Sequence, residues 1–164
     1  MIHQSFFSAP SEHIAPLLLG QLITMNQYTG RILDIEAYGG DDDPASHAFK
    51  RKTPRNEIMF GPPGYIYIYM IYGMYYCFNI VTHPIDIPGS LFIRAIDCSK
   101  HGIINGPGKL CRAWGIDLRY HGQKMFDNPL CGITIDRQPV AYTTSKRIGI
   151  TKDDHRQWRF KIAI

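Results

Sequence analysis

The sequence predicts an α+β fold, a single domain over 1–164 with a mostly antiparallel curved sheet, flanking helices and a protruding β-hairpin. Three observations carry that expectation. Apolar residues alternate with period two at 30–38, 65–70, 76–81 and 90–97. Two of those runs are separated by a few residues around Gly73, the spacing of a hairpin. The segment 107–116 instead carries Leu110, Ala113 and Trp114 at helical spacing. A chain of 164 residues suits one compact core without disulfide or metal staples.

In chain order, a short helix is expected over 11–19, starting near Ser11 and confined to about a turn on either side of Pro16. "GRILDIEAY", 30–38, reads as a strand in which Leu33, Ile35 and Ala37 alternate with Ile32, Asp34, Glu36 and Tyr38. One face would be buried, and the other would present Glu36 beside Tyr38. The Gly, Asp and Pro of "GGDDDPASHAFKRKTPRN" argue for a loop, with a short helix possible after Pro44. A loop of this length in a small domain is usually functional or disordered. Strands from Tyr65 to Met70 and from Tyr76 to Val81 then form the hairpin, turning near "MIYGM" with Tyr72 and Met74 at its tip. "SLFIRAID", 90–97, is a further strand. "KRIGI" and "WRFKIAI" are expected to be the last two.

Composition narrows the function classes. Hydrophobic residues at 45% and charged residues at 20% are those of a folded chain, and the net charge of +4 permits a nucleic-acid partner without demanding one. Cysteines 77, 98, 111 and 131 are too widely spaced for a zinc or dithiol motif and are expected to stay reduced. No run approaches the roughly 18 apolar residues of a membrane span, and the N-terminus lacks a cationic start with a long apolar core. An intracellular protein without a membrane partner is the expectation.

Several residues could carry chemistry. Arg94 sits among apolar neighbours in "LFIRAI" and needs an acceptor, for which Glu36 is the chosen partner. A functional pair, a structural ion pair and an arginine at a sheet edge reaching water all fit. Six of the ten tyrosines lie between 65 and 80; Tyr65 and Tyr67 suit core packing, whereas Tyr72 and Met74 at a turn would stand exposed, as wedges that enter a DNA base step do. "KRKTPR", 50–55, and the cations between Lys146 and Lys161 could flank a phosphate backbone or be solvated surface. His47 has no second histidine at ligand spacing, so a metal role is not expected of it. "NGPGKL" matches no phosphate loop and reads as a helix-initiating turn.

"GRILDIEAY", "SHAFKRKTPRN", "YIYIYMIYGMYYCFN", "FIRAI", "GPGKLCRAWGI" and "RIGI" occur in this order, and from about Ile14 onward the chain closely resembles the alkyladenine (3-methyladenine, or methylpurine) DNA glycosylase family. The resemblance implies a monofunctional, metal-free and cofactor-free enzyme acting as a monomer on double-stranded DNA that contains damaged purines. Alkylated or deaminated purines such as 3-methyladenine, 7-methylguanine, hypoxanthine and ethenoadenine would be flipped from the helix and hydrolysed from the sugar. It assigns Glu36 as catalytic base and Arg94 as its partner at the attacking water. Tyr38, His47 and Tyr69 become pocket walls, and Asn79 a floor residue set against the 2-amino group of guanine. Tyr72 would fill the gap left by the flipped nucleotide, with Met74 against DNA beside it. The short connection between Gly122 and Lys146 suggests reduced accessory contacts to DNA, and the compact chain points to a bacterial cytoplasm. Two other classes use the same residues: a non-catalytic binder of damaged or single-stranded DNA, and a small-molecule pocket protein. The acidic run 41–43 would repel phosphate unless it points away or pairs with 50–55.

Overall fold

The computed structural model describes residues 1–153 and 155–163. A 3₁₀ turn at Gln4–Ser8 leads into helix α1 (Ser11–Leu18), which continues for two residues past Pro16. Strands β1 (Leu22–Met25) and β2 (Tyr28–Tyr38) form a hairpin whose turn residue Asn26 is left-handed, at φ 55°. Asparagine tolerates that region because its short side chain can bond locally. The hairpin of β3 (Ile66–Ile71) and β4 (Tyr75–Val81) follows, then β5 (Ser90–Cys98) and β6 (Gly102–Asn105). Helix α2 (Pro107–Trp114) begins on a proline and ends at left-handed Gly115, the pairing expected of helix ends. Strands β7 (Cys131–Thr134), β8 (Thr143–Ser145) and β9 (Arg159–Lys161) complete the chain.

Among the described residues these nine strands make one curled antiparallel sheet in the order β3-β4-β5-β2-β1-β7, with β6 on β5, β9 on β2 and β8 on β9. The α+β expectation holds. Alternation divides the hairpin side of the sheet cleanly. Ile66, Ile68, Phe78, Ile80, Leu91 and Ile93 join the main core, which α1 and α2 cover. The opposite face carries Tyr67, Tyr69, Cys77, Asn79, Phe92 and Arg94. Strand register lines them up: Tyr67 lies opposite Asn79, Asn79 opposite Phe92, Phe92 opposite Glu36, and Glu36 opposite Arg159.

Three expectations need correction. Alternation along β2 places Glu36 on an exposed face, but Glu36 is fully buried, as are Asp34, Ile32 and Ile35. The register with β5 slips on both sides of Asp34, so Ile32 and Ile35 both reach the core and strict period two fails there. The C-terminal tail, including β9, then covers the remaining side. No helix forms over 44–56; the segment is a string of turns pinned by Asp43 and Asn56, and a 3₁₀ turn at Glu57–Phe60 follows it. "KRIGI" is a turn rather than a strand, with the strand displaced to Thr143–Ser145. Its backbone is drawn away from a ladder because Ile148 donates its N–H to Glu36. The four cysteines are free and buried, and no helix among the described residues is long and apolar enough to cross a membrane.

Candidate active site

A cavity of about 500 Å³ opens on the face of β3–β4–β5 opposite the main core. Tyr38, His47, Tyr69, Asn79 and Arg94 line it, and Tyr72 stands at its rim. The structure therefore brings together residues from β2, the 39–56 loop, β3, β4 and β5. Glu36 lies immediately behind this wall. Its Oε2 accepts hydrogen bonds from the Tyr38 hydroxyl (2.9 Å) and Arg94 Nη1 (3.2 Å), and its Oε1 accepts one from the Ile148 N–H (2.6 Å). All three donors border the cavity.

The electrostatics follow from that enclosure. Burial pushes the Glu36 carboxyl above its ordinary range, against the opposing effects of Arg94, Ile148 and Tyr38, while Asp34 adds to the upward push. Burial and the Glu36 charge also push the Tyr38 phenol far up, so it stays a donor. Tyr67 is raised to about 12 and Cys77 to about 11, both first by burial. Burial lowers His47, and Arg55 lowers it further, so the imidazole is held neutral. Its Nδ1 lies 3.1 Å from the Tyr67 hydroxyl, and its ring meets Tyr69 edge-on at 4.4 Å.

The aromatic walls share a base. Tyr38 and Tyr69 each pack against Phe92, at 6.5 and 6.4 Å, and Arg94 lies over the same ring. Asn79 is buried, its Nδ2 donating to the carbonyls of Tyr67 and Cys77 at 3.3 and 3.4 Å. Tyr72 is 86% exposed and Met74 61%, held out by consecutive left-handed residues Tyr72 and Gly73 at φ 52° and 65°. Arg55 donates to the Met70 carbonyl and lies over Tyr69, which fixes one cation of the 50–55 run beside the hairpin.

The sequence reading missed Phe92 and Ile148. Phe92 stands two residues before Arg94 on one strand, so alternation could have found it. The Ile148 contribution is a main-chain N–H, which leaves no mark in side-chain identity. Of the two ways out left open for the acidic run 41–43, pairing with 50–55 is not the one used. Asp43 is buried and accepts a fork from Arg147, and Asp42 pairs with Arg156, so neither relies on 50–55. Among the described residues, no group of three His, Cys, Asp or Glu side chains is placed to hold a metal ion.

Comparison with known proteins addresses the same residues from outside. A family model described as methylpurine-DNA glycosylase matches residues 5–164. A relative from Ehrlichia chaffeensis is 39% identical over 167 residues, covering 99% of this chain and 93% of that protein, and one from Ehrlichia ruminantium is 38% identical, covering 99% and 89%. A third, from Rickettsia felis, is 35% identical over 164 residues, covering 99% and 93%. Each of the three bears the name "Putative 3-methyladenine DNA glycosylase". With the aromatic cavity, the enclosed carboxylate and a family match across nearly its whole length, the chain belongs to the methylpurine-DNA glycosylase family.

Proposed function

We propose that this DNA glycosylase flips alkylated or deaminated purines out of duplex DNA and hydrolyses their N-glycosidic bond, acting as a monomer, with Glu36 as general base. The observation that carries the proposal is the enclosed Glu36 carboxylate, gripped by Arg94, Tyr38 and Ile148 at the inner wall of an aromatic cavity whose rim bears an exposed tyrosine. A carboxylate offers about four acceptor positions, and three are taken by protein donors. The fourth serves a water entering from the cavity.

Each step balances on these groups. The base leaves C1′ with the electron pair of its C1′–N bond, positive charge grows on the sugar, and the carboxylate stabilises it. Water forms the new C1′–O bond and gives its proton to Glu36. An abasic site remains. Arg94 keeps Glu36 ionised against the penalty of burial. Tyr38, Tyr69 and neutral His47 sandwich the extruded ring, a contact worth about 1–3 kcal/mol per base. That matches the few kcal/mol spent on flipping, so within a substrate class of 3-methyladenine, 7-methylguanine, hypoxanthine and ethenoadenine the lesions whose pairing is weakened enter first. Tyr72 occupies the vacated stack, with Met74 beside it.

The test uses duplexes each carrying one of these lesions, incubated with protein in EDTA and then treated with alkali. Strand breaks at the lesion are expected with the wild-type chain and not with Glu36→Gln. Tight lesion binding without alkali-labile sites would overturn the enzyme reading in favour of a damage-binding protein.

A further inference from the structure

Arg147 is the most completely enclosed cation near the cavity, and its partners tie four stretches of chain together. Its Nη1 donates to the Ala37 carbonyl (3.0 Å) and Asp43 Oδ2 (2.6 Å), and its Nη2 to Asp43 Oδ1 (2.8 Å) and Asp153 Oδ2 (3.4 Å). The guanidinium stacks 4.6 Å from the Tyr38 ring and 5.4 Å from the Trp158 ring. Asp43 is fixed in turn by the N–H groups of Gly39 and Ala45, and Arg156 braces it from the tail at 3.6 Å. The residue after Arg147 is Ile148, whose N–H lies 2.6 Å from Glu36 Oε1.

We infer that Arg147, locked by Asp43, is a positioning residue whose task is to hold the Ile148 N–H on the Glu36 carboxylate, so that the tail clamp sets the ionisation of the general base. The inference rests on the proposed glycosylase reading for its meaning in catalysis, though not for its structural test. The geometry argues for a dedicated clamp. Ile148 lies in a turn with no ladder to hold its N–H in place, so its aim depends on the anchor one residue before it. That anchor bonds the carbonyl of the residue next to Glu36 and stacks on Tyr38, the other donor to Glu36 that needs aiming. The same lock accounts for Asp43, the buried member of the acidic run, as an internal anion that never meets phosphate.

The groups facing Glu36 define what a change would do. They are Arg94 on β5, the Tyr38 hydroxyl and Asp34 on β2, the latter paired with Arg159 on β9, and the Ile148 N–H from the tail. Arg94, the Tyr38 hydroxyl and the Ile148 N–H favour the carboxylate, Arg159 adds an attractive charge, and Asp34 opposes it. Loosening Ile148 removes one favourable partner and leaves burial unchanged. Glu36 then takes up its proton at higher pH.

The experiment compares wild type, Asp43→Asn, Arg147→Lys and the milder Asp153→Asn. Glutamate-labelled protein contains only Glu12, Glu36 and Glu57, so the Glu36 carboxyl carbon can be followed by NMR titration whether or not the protein excises anything. The Glu36 midpoint is expected to move to higher pH in Asp43→Asn and Arg147→Lys, and by less in Asp153→Asn. Single-turnover excision should fall roughly 10²-fold in the first two, the scale of a small misplacement at a reacting centre. The acid limb of its pH profile should move upward, while lesion-duplex affinity stays within about threefold. A Glu36 midpoint unchanged in all three folded variants overturns the inference. Absence of excision by the wild type would overturn the glycosylase reading instead, and the titration would still decide the clamp.

Discussion

A carboxylate with no solvent exposure loses several kcal/mol of hydration, and its donors return that only in part, which is why Glu36 keeps a raised affinity for its proton. The sign has two consequences. At neutral pH the ionised form subtracts from stability, so Glu36→Gln is expected to lose excision by roughly 10²–10⁴-fold without a lower melting temperature. A clear drop in melting temperature would show that the ionised group stabilises the fold and that its burial is structural. Asn79 poses a related choice. Its amide is tied to two strand carbonyls and its side chain also borders the cavity. Asn79→Ser should shorten the floor and raise release of guanine relative to 3-methyladenine; an unchanged ratio would leave Asn79 as a strand amide. Pairing of Glu36 with Arg94 was legible from the sequence, because a guanidinium among apolar residues must find an acid. Arg147 was not, since nothing in "SKRIGI" marks an arginine that will be buried.

At the scale of elements, legibility follows how local each cause is. The β3–β4 hairpin, β5 and α2 were readable because period two, a turn glycine, and a proline start are written in adjacent residues. Strands β1, β6 and β7 were not, being four residues each, too short to display a period, and β7 is paired across the chain to β1. The slip around Asp34 in β2 likewise depends on β5 and β9 rather than on its own pattern. The hairpin tip carries a conformational cost. A tyrosine at φ 52° is strained by about 1–2 kcal/mol relative to glycine, and its ring finds no core to repay that. Tyr72→Gly is therefore expected to raise folding stability by a few tenths to about 1 kcal/mol in urea titrations, after the entropy cost of glycine. Lesion-duplex affinity should fall in the same variant. Loss of stability would mean that Tyr72 is held by the fold and not placed for DNA.

At the scale of the molecule, the site is closed by contacts between the two ends of its sequence, and that closure is pH-dependent in a way whose sign can be worked out. His47 and His83 have folded affinities for protons below the ordinary histidine value, both chiefly from burial. The unfolded chain therefore binds protons that the fold excludes, and stability falls as pH drops through about 6.5, by no more than about 1.4 kcal/mol per pH unit for each group. Glu36 acts in the opposite sense over the acidic range, since its proton is held more tightly in the fold than at the ordinary glutamate value near 4.3. Asp43 responds in the sense opposite to Glu36. Burial raises it, but the Arg147 fork and the Gly39 and Ala45 N–H groups outweigh burial and hold it below the usual aspartate range. Its contribution is complete above about 3.9 and is lost as pH falls further, when the tail clamp loses its anion. Urea midpoints measured from neutral pH downward should fall in two stages separated by a shallower region. His83→Gln should flatten the first stage and Glu36→Gln should steepen the middle. A single uniform decline in all three proteins would show that these buried groups do not govern the acid response, and that general charge repulsion does.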